Sequence, residues 1–123
     1  MILLDSNIVI YSTIPESSSV LGLFSKNEIA VSIISYVEVL GFHKLTPDDR
    51  MTLEDFFQAI RIIPLSDEIA NTAIRLRQTR PIKLGDSLIS ATAIVNELPL
   101  FTNNTKDFRW ITGLELISTL ENE

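Results

Sequence analysis

Acidic residues lie next to apolar runs at separate places in the sequence. Asp5 comes directly after four apolar residues, Glu38 lies just beyond a β-branched run, and Asp86 precedes a strongly apolar segment. Carboxylates that are packed together repel one another and raise each other's pKa. Mg²⁺ and Mn²⁺ prefer oxygen ligands and relieve this repulsion. If the fold brings the three acids together, they therefore predict a Mg²⁺ or Mn²⁺ site.

A fourth polar segment, residues 102–108, follows another apolar run. It contains Thr102, Asn104 and Asp107 among other small polar residues. Asn104 could lend a carbonyl oxygen to a hydrated metal, and Asp107 could lend a carboxylate. An ordinary turn rich in asparagine would have a similar composition, so this segment alone decides nothing.

Each acid also has a purely structural interpretation. Asp5 and Asp86 are residue types that commonly cap the start of a helix. Ser35 and Glu38 have the spacing of a capping box, in which the glutamate reaches back to the backbone N–H of the capping residue. These interpretations do not exclude a metal site, because a capping residue after a strand also lies at the carboxyl edge of the sheet.

Apolar runs alternate with helical patterns along the chain. The predicted strands are residues 1–4, 29–34, 61–65, 98–102 and 114–118. The predicted helices are residues 17–25, 35–45, one beginning at 46–48, one capped by 66–67, and 86–97, with a loop at 81–85 and a turn or short helix at 103–108. This pattern predicts one three-layer α/β/α domain over residues 1–123, with a parallel sheet of four to five strands. Ligands of such sheets bind beyond the carboxyl ends of the strands.

Composition limits the possible functions. A chain of 123 residues is long enough to bury a core. Because it has no cysteine, it cannot form disulfides or thiolate metal sites. No apolar run is long enough to span a bilayer, so we expect a cytoplasmic protein with no membrane partner. The net charge of −6 argues against a simple electrostatic nucleic-acid binder, unless the basic residues cluster locally.

Four segments together resemble the PIN domain, and most closely its VapC-like toxins. They are Ile2-Leu3-Leu4-Asp5-Ser6-Asn7, Ser35-Tyr36-Val37-Glu38, residues 86–93 (DSLISATA) and residues 102–108 (TNNTKDF). The resemblance covers essentially the whole chain, in order and at the usual spacings. It implies a Mg²⁺- or Mn²⁺-dependent endoribonuclease that forms a homodimer and is blocked by a small antitoxin protein.

The resemblance also assigns roles to individual residues. Asp5, Glu38 and Asp86 fall on the three main acidic positions, with Asp5 and Asp86 binding metal directly and Glu38 directly or through water. The fourth acidic position falls on Asn104, which leaves a second metal in question. Supporting positions fall on Ser6 and Thr102, and Asp107 could compensate for the asparagine.

RNA contacts require basic residues, and several lie near these motifs. We expect Arg80, Lys83 and Lys106 to contact phosphates, since local charge rather than the net charge steers a ligand. A solvated helix face and loop would have the same composition.

Two alternatives come from other functional classes. One is a PIN-like fold that binds a partner protein but lacks catalysis, which the asparagine at position 104 keeps open. The other is a receiver-type phosphoacceptor domain, for which Asp67 is the nearest candidate. Scattered glycines and the lack of a Gly-x-Ser-x-Gly motif disfavour nucleotide-dependent enzymes and esterases.

Overall fold

The computed structural model describes residues 1–11 and 28–118, which contain five short strands and six helices. The strands are β1 (Ile2–Leu4), β2 (Ile29–Ser32), β3 (Arg61–Ile63), β4 (Leu100–Phe101) and β5 (Leu116–Ile117). The helices are α1 (Ser6–Tyr11), α2 (Ile33–Leu40), α3 (Pro47–Gln58), α4 (Asp67–Thr79), α5 (Leu84–Val95) and α6 (Thr105–Phe108). The helix predicted over residues 17–25 lies outside the described residues. None of the described helices is long and apolar enough to cross a bilayer.

All five strands run parallel in one sheet, in the order β3-β2-β1-β4-β5. β1 is the central strand, with Leu3 opposite Ala30 of β2 and Leu100 of β4. The three residues of β1 are almost completely buried, as expected for a strand covered on both faces of the sheet. The predicted parallel sheet is therefore confirmed.

Side chains of β1 alternate between the two faces of the sheet and enter two separate cores. Ile2 and Leu4 pack against residues of α1, α2 and α3, whereas Leu3 packs against α5 and α6. A third cluster joins α4 to α5 through Ile69, Ala73 and Ala91. Each fully buried Leu or Ile contributes about 1.5–3 kcal/mol of transfer free energy, so these clusters hold the helices onto the sheet.

The capping box predicted at Ser35 and Glu38 is wrong. α2 begins at Ile33, because the buried Ser32 at the end of β2 caps it and accepts a hydrogen bond from the Ile34 N–H at 3.0 Å. Ser35 and Glu38 therefore lie inside the helix, and the Glu38 carboxylate accepts from the Ser6 hydroxyl instead.

The predicted helix cap at Asp86 is also wrong. α5 begins at Leu84 and its N-cap is Lys83, which makes no side-chain capping hydrogen bond. Asp86 is the third residue of the helix and lies in its first turn. The loop predicted over residues 81–85 consequently ends at residue 83. Asp5, by contrast, does precede a helix, and its Oδ1 accepts a hydrogen bond from the Ser6 N–H.

Candidate active site

The carboxyl edge of the sheet brings the predicted polar residues together. Asp5 follows β1, Ser32 ends β2 and Thr102 follows β4, and these three strands are neighbours at the centre of the sheet. The helices that leave this edge carry the remaining candidates. The arrangement follows from topology, since parallel strands all end at the same edge.

Asp5 lies at the centre of this edge and is held in a fixed orientation. Its side chain is only 4% exposed. Oδ1 accepts a hydrogen bond from the Ser6 N–H at 2.8 Å, and Oδ2 accepts one from the fully buried Thr102 hydroxyl, also at 2.8 Å. Both carboxylate oxygens therefore have a donor that fixes them.

Ser6 links the end of β1 to helix α2. Its Oγ lies 2.9 Å from Ser35 Oγ and 2.9 Å from Glu38 Oε1. Ser35 is fully buried, whereas Glu38 is exposed. The serine pair therefore helps to position the exposed Glu38 carboxylate near Asp5.

Glu38 also touches the first turn of α5. A Cβ atom added to Gly85 would lie 2.8 Å from Glu38 Oε2, so the carboxylate fits only because this position has no side chain. Since Asp86 is the next residue, Glu38 and Asp86 are brought to the same region. Sequence reasoning missed Gly85 and Ser35. Their only signals were a glycine next to a candidate acid and a small polar residue between apolar ones.

Asp86 is half-buried, and its carboxylate accepts no hydrogen bond from the described residues. Burial raises its pKa, and the negative charge of Asp5 raises it further, with smaller contributions from Asp107 and Glu38. The nearby Lys83 opposes these effects. The Asp86 carboxylate thus has lone pairs that no described donor occupies. Its surroundings disfavour the ionised form of the side chain.

The pKa of Asp5 is raised for related reasons. Burial is the largest cause, and repulsion from Glu38 and Asp107 adds to it. The hydrogen bonds from Thr102 and Ser6 act in the opposite direction because they stabilise the ionised form. Acids from different parts of the chain therefore interact electrostatically with Asp5.

The polar segment after β4 joins the same network. The backbone N–H of Asn104 donates to Thr102 Oγ1 at 2.9 Å, and its side-chain Nδ2 donates to Asp107 Oδ2 at 2.6 Å. The Thr102 hydroxyl thus donates to Asp5 and accepts from Asn104. Asn104 and Asp107 are both exposed, and their side chains pair with each other at the rim of the site.

The acids approach one another without closing into a coordination shell. Within residues 1–11 and 28–118, no group of three or more His, Asp or Glu side chains is arranged to hold a metal ion. Their proximity is visible instead in the Ser6–Glu38 and Glu38–Gly85 contacts, and in the neighbouring acids that help to raise the pKa of Asp5 and of Asp86.

A cavity of about 500 Å³ opens beside Asp86. Arg80, Lys83 and Lys106 line it together with Asp86 and Asp107, so basic residues outnumber acidic ones there although the whole chain carries −6. Its remaining lining residues are Pro81, Ile82 and Trp110. Two other arginines nearby are engaged elsewhere, since Arg75 donates to Thr72 and Arg77 to the Ile82 carbonyl.

The strand order excludes the receiver alternative. Receiver domains have the order 2-1-3-4-5, in which the third strand is internal. Here β3 is an edge strand, and Asp67 is an exposed residue in the first turn of α4. Asp67 therefore lacks the central position that a phosphoacceptor needs.

Solved protein structures share this fold. A toxin–antitoxin complex from Klebsiella pneumoniae contains a similar chain with 30% identity and a TM-score of 0.79, covering 95% of this chain and 96% of that one. A chain of VapBC2 from Rickettsia felis, solved with a DNA fragment from its promoter, has 28% identity and a TM-score of 0.78, covering 96% and 98%. A chain of VapBC-1 from nontypeable Haemophilus influenzae shares the fold, with 24% identity and a TM-score of 0.83 over 96% and 98% of the two chains.

Curated protein sequences gave no match. The PIN domain family, however, matches residues 2–113, which include every residue of the candidate site. PIN domains are generally nucleases. With the parallel sheet and the acids at its carboxyl edge, this match shows that the chain belongs to the PIN domain family.

Proposed function

We propose that this chain is a divalent-metal-dependent endoribonuclease and the toxin of a toxin–antitoxin pair. The observation that carries the proposal is the meeting of Asp5, Glu38 and Asp86 at one sheet edge, next to a cavity rich in basic residues. Membership of a nuclease family supports hydrolysis of phosphodiester bonds. The likeness to chains of VapBC complexes supports the toxin role.

The donor atoms suit a hard divalent cation such as Mg²⁺ or Mn²⁺. Asp5, Asp86 and Glu38 all offer carboxylate oxygens, and that of Asp86 accepts no hydrogen bond from the described residues. Burial, and to a smaller extent repulsion among the acids, raises the pKa of Asp5 and of Asp86, and an added positive charge would oppose that rise. When bound, the cation supplies Lewis-acid chemistry at the scissile phosphate.

The surrounding residues of the chain would fix this site. Thr102 and Ser6 orient Asp5, and Ser6 also keeps Glu38 close. Residues that hold a metal ligand in place typically change metal affinity or activity by about tenfold to hundredfold when they are replaced. Asn104 acts through Thr102 and Asp107, and it supplies an amide where the family's fourth acid would stand.

RNA would enter from the cavity. Arg80, Lys83 and Lys106 line it and are all exposed, so they can contact backbone phosphates on the approach to Asp86. The cations would offset the repulsion between the acids and a polyanionic substrate.

A cleavage assay with Mn²⁺ tests the proposal. The natural chain should cut single-stranded RNA, and EDTA should stop it. Asp5→Asn and Asp86→Asn should each lower the rate by roughly a hundredfold or more, because losing a direct ligand should exceed the effect of losing a supporting residue. Asp67→Asn is a matched control, since it replaces an exposed acid in the first turn of another helix.

The melting temperature of each variant shows whether loss of activity reflects loss of the fold. Equal cleavage by all four proteins would overturn the catalytic assignment. If the natural chain leaves RNA intact with Mn²⁺ but binds a partner protein, the catalytically inert alternative is correct.

The partner is proposed to be a small antitoxin protein, bound to a homodimer of this chain. Co-expression with any short reading frame beside its gene should yield a stable complex whose mass can be measured by light scattering. The complex should cut RNA more slowly than the free chain. A free chain that stays monomeric and co-purifies with no neighbour-encoded protein would contradict this assignment.

A further inference from the structure

Trp110 is held at the rim of the cavity in a fixed orientation. Its indole Nε1–H donates to the Asp107 carbonyl oxygen at 2.9 Å. The half-buried ring also packs against the core on the α5 side of the sheet. One edge and part of the ring are therefore anchored, which fixes the plane of the indole.

Arg80 lies over this ring. Its guanidinium carbon lies 5.0 Å from the centre of the Trp110 ring, within the range of a cation–π contact. Arg80 is exposed and lines the cavity. A guanidinium is planar, and because Arg80 is exposed it can stack with a second flat group in addition to its contact with the indole.

We propose that Arg80 and Trp110 form a platform on which one unpaired nucleobase of the RNA stacks next to the cleavage site. This inference rests on the proposed ribonuclease function and specifies its substrate as unpaired RNA. Bases stack on arginine planes and aromatic rings only when they are not already stacked and paired in a duplex. The cavity volume is within the range of pockets that hold small ligands.

The neighbouring residues fit this placement. Lys83 and Lys106 line the same cavity and can contact phosphates next to the base. Asp86, one of the candidate metal ligands, also lines it. Every base offers a flat face, so stacking selects for an unpaired nucleotide more than for one base type. The platform therefore selects RNA structure, and any sequence preference must come from other contacts.

The chain has a single tryptophan, so its fluorescence reports on this platform directly. A short unstructured RNA, titrated in EDTA so that it is not cut, should quench Trp110. The same RNA annealed to its complement should quench it much less. A single-stranded RNA with an abasic nucleotide at each position in turn should show one position where quenching is lost.

Arg80→Lys keeps the charge but removes the plane. It should weaken binding of the unpaired RNA roughly tenfold, which is within the usual contribution of one stacked base. In cleavage it should raise KM more than it lowers kcat, with an unchanged melting temperature. Arg61→Lys is the control, because Arg61 is an exposed residue at the amino-terminal end of β3, at the opposite edge of the sheet.

Trp110→Phe is a second variant, followed by the anisotropy of labelled RNA, and it should also weaken binding of the unpaired strand. If Arg80→Lys and Trp110→Phe both bind unpaired RNA as tightly as Arg61→Lys, the platform is refuted and the pair is only a packing contact. Equal quenching by duplex and single strand would refute it as well. Quenching by unpaired RNA without cleavage in Mn²⁺ would instead overturn the nuclease proposal and leave the platform standing.

Discussion

Replacing Thr102 with valine removes one hydroxyl from the centre of the site and keeps the shape of the side chain. That hydroxyl donates to Asp5 Oδ2 at 2.8 Å and accepts from the Asn104 N–H at 2.9 Å. Thr102 is fully buried and Asp5 is only 4% exposed, so water cannot readily replace the lost donor. The substitution therefore tests how much the fold depends on fixing this carboxylate.

The size of the effect follows from the two hydrogen bonds. A bond to a charged group contributes about 1.5–3 kcal/mol and a neutral bond about 0.5–1.5 kcal/mol. Thr102→Val should therefore lower the free energy of unfolding by roughly 2–4 kcal/mol at neutral pH without metal. Thr102→Ser keeps the hydroxyl and loses one methyl group, which should lower it by only about 1 kcal/mol.

The loss should also depend on pH. The pKa of Asp5 is already raised by burial, and the Thr102 bond opposes that rise, so valine raises the pKa further. An acid with a raised pKa binds more protons in the folded state than in the unfolded state. Stability therefore falls as pH rises from the ordinary aspartate range through the folded pKa, and it falls further in the variant.

Urea denaturation of the natural chain, Thr102→Val and Thr102→Ser at acidic and neutral pH measures these differences. The valine variant should lose more stability at neutral pH than at acidic pH, and the serine variant should lose the same amount at both. If valine and serine are equally stable at neutral pH, or if the valine effect does not change with pH, the Thr102 bond does not stabilise ionised Asp5.

Three further predictions concern the same region. Gly85→Ala should leave the melting temperature unchanged or raise it, because alanine favours the helix by about 0.5–1 kcal/mol, yet the new Cβ should displace the Glu38 carboxylate and lower Mn²⁺-dependent cleavage. In EDTA, the Asp86→Asn variant should melt no lower than the natural chain, because the substitution removes a half-buried anion with a raised pKa. Mn²⁺ at a hundred times the Kd for the natural chain should stabilise only the natural chain, by about 2.7 kcal/mol. Ser90→Ala should raise stability by about 1–2 kcal/mol in urea denaturation and leave cleavage unchanged, because the fully buried Ser90 hydroxyl has no partner among the described residues.

The sheet and the approximate site could be predicted because both depend on local patterns. Short apolar runs alternating with helical segments predict a parallel sheet, and an acid that follows such a run must lie near its carboxyl edge. Asp5 after β1 and the polar segment after β4 are both placed by this reasoning. Arg80, Lys83 and Lys106 were selected by their nearness in sequence to the acidic motifs, and they do line one cavity.

The contacts that join different elements of the site could not be predicted, because their residues lie far apart in the chain. Glu38 has the spacing of a capping residue, but its carboxylate accepts a hydrogen bond from the Ser6 hydroxyl. It also lies where a side chain at position 85 would stand, so it depends on Gly85. The start of α2 depends on Ser32, a buried serine at a strand end that no helical periodicity marks. Local spacing suggests which residues can cap a helix, whereas tertiary contacts decide which residue does.

The three acids differ in the hydrogen bonds that their carboxylates accept, and this difference bears on where a cation would bind. Both oxygens of Asp5 accept hydrogen bonds and Glu38 is held by Ser6, whereas Asp86 is half-buried with no donor among the described residues. One hydrogen bond on each oxygen of Asp5 leaves one lone pair on each for a cation, whereas no donor among the described residues occupies either oxygen of Asp86. Asp86 is thus the ligand at which binding gains the most, so its substitution should abolish the Mn²⁺ stabilisation more completely than substitution of Glu38.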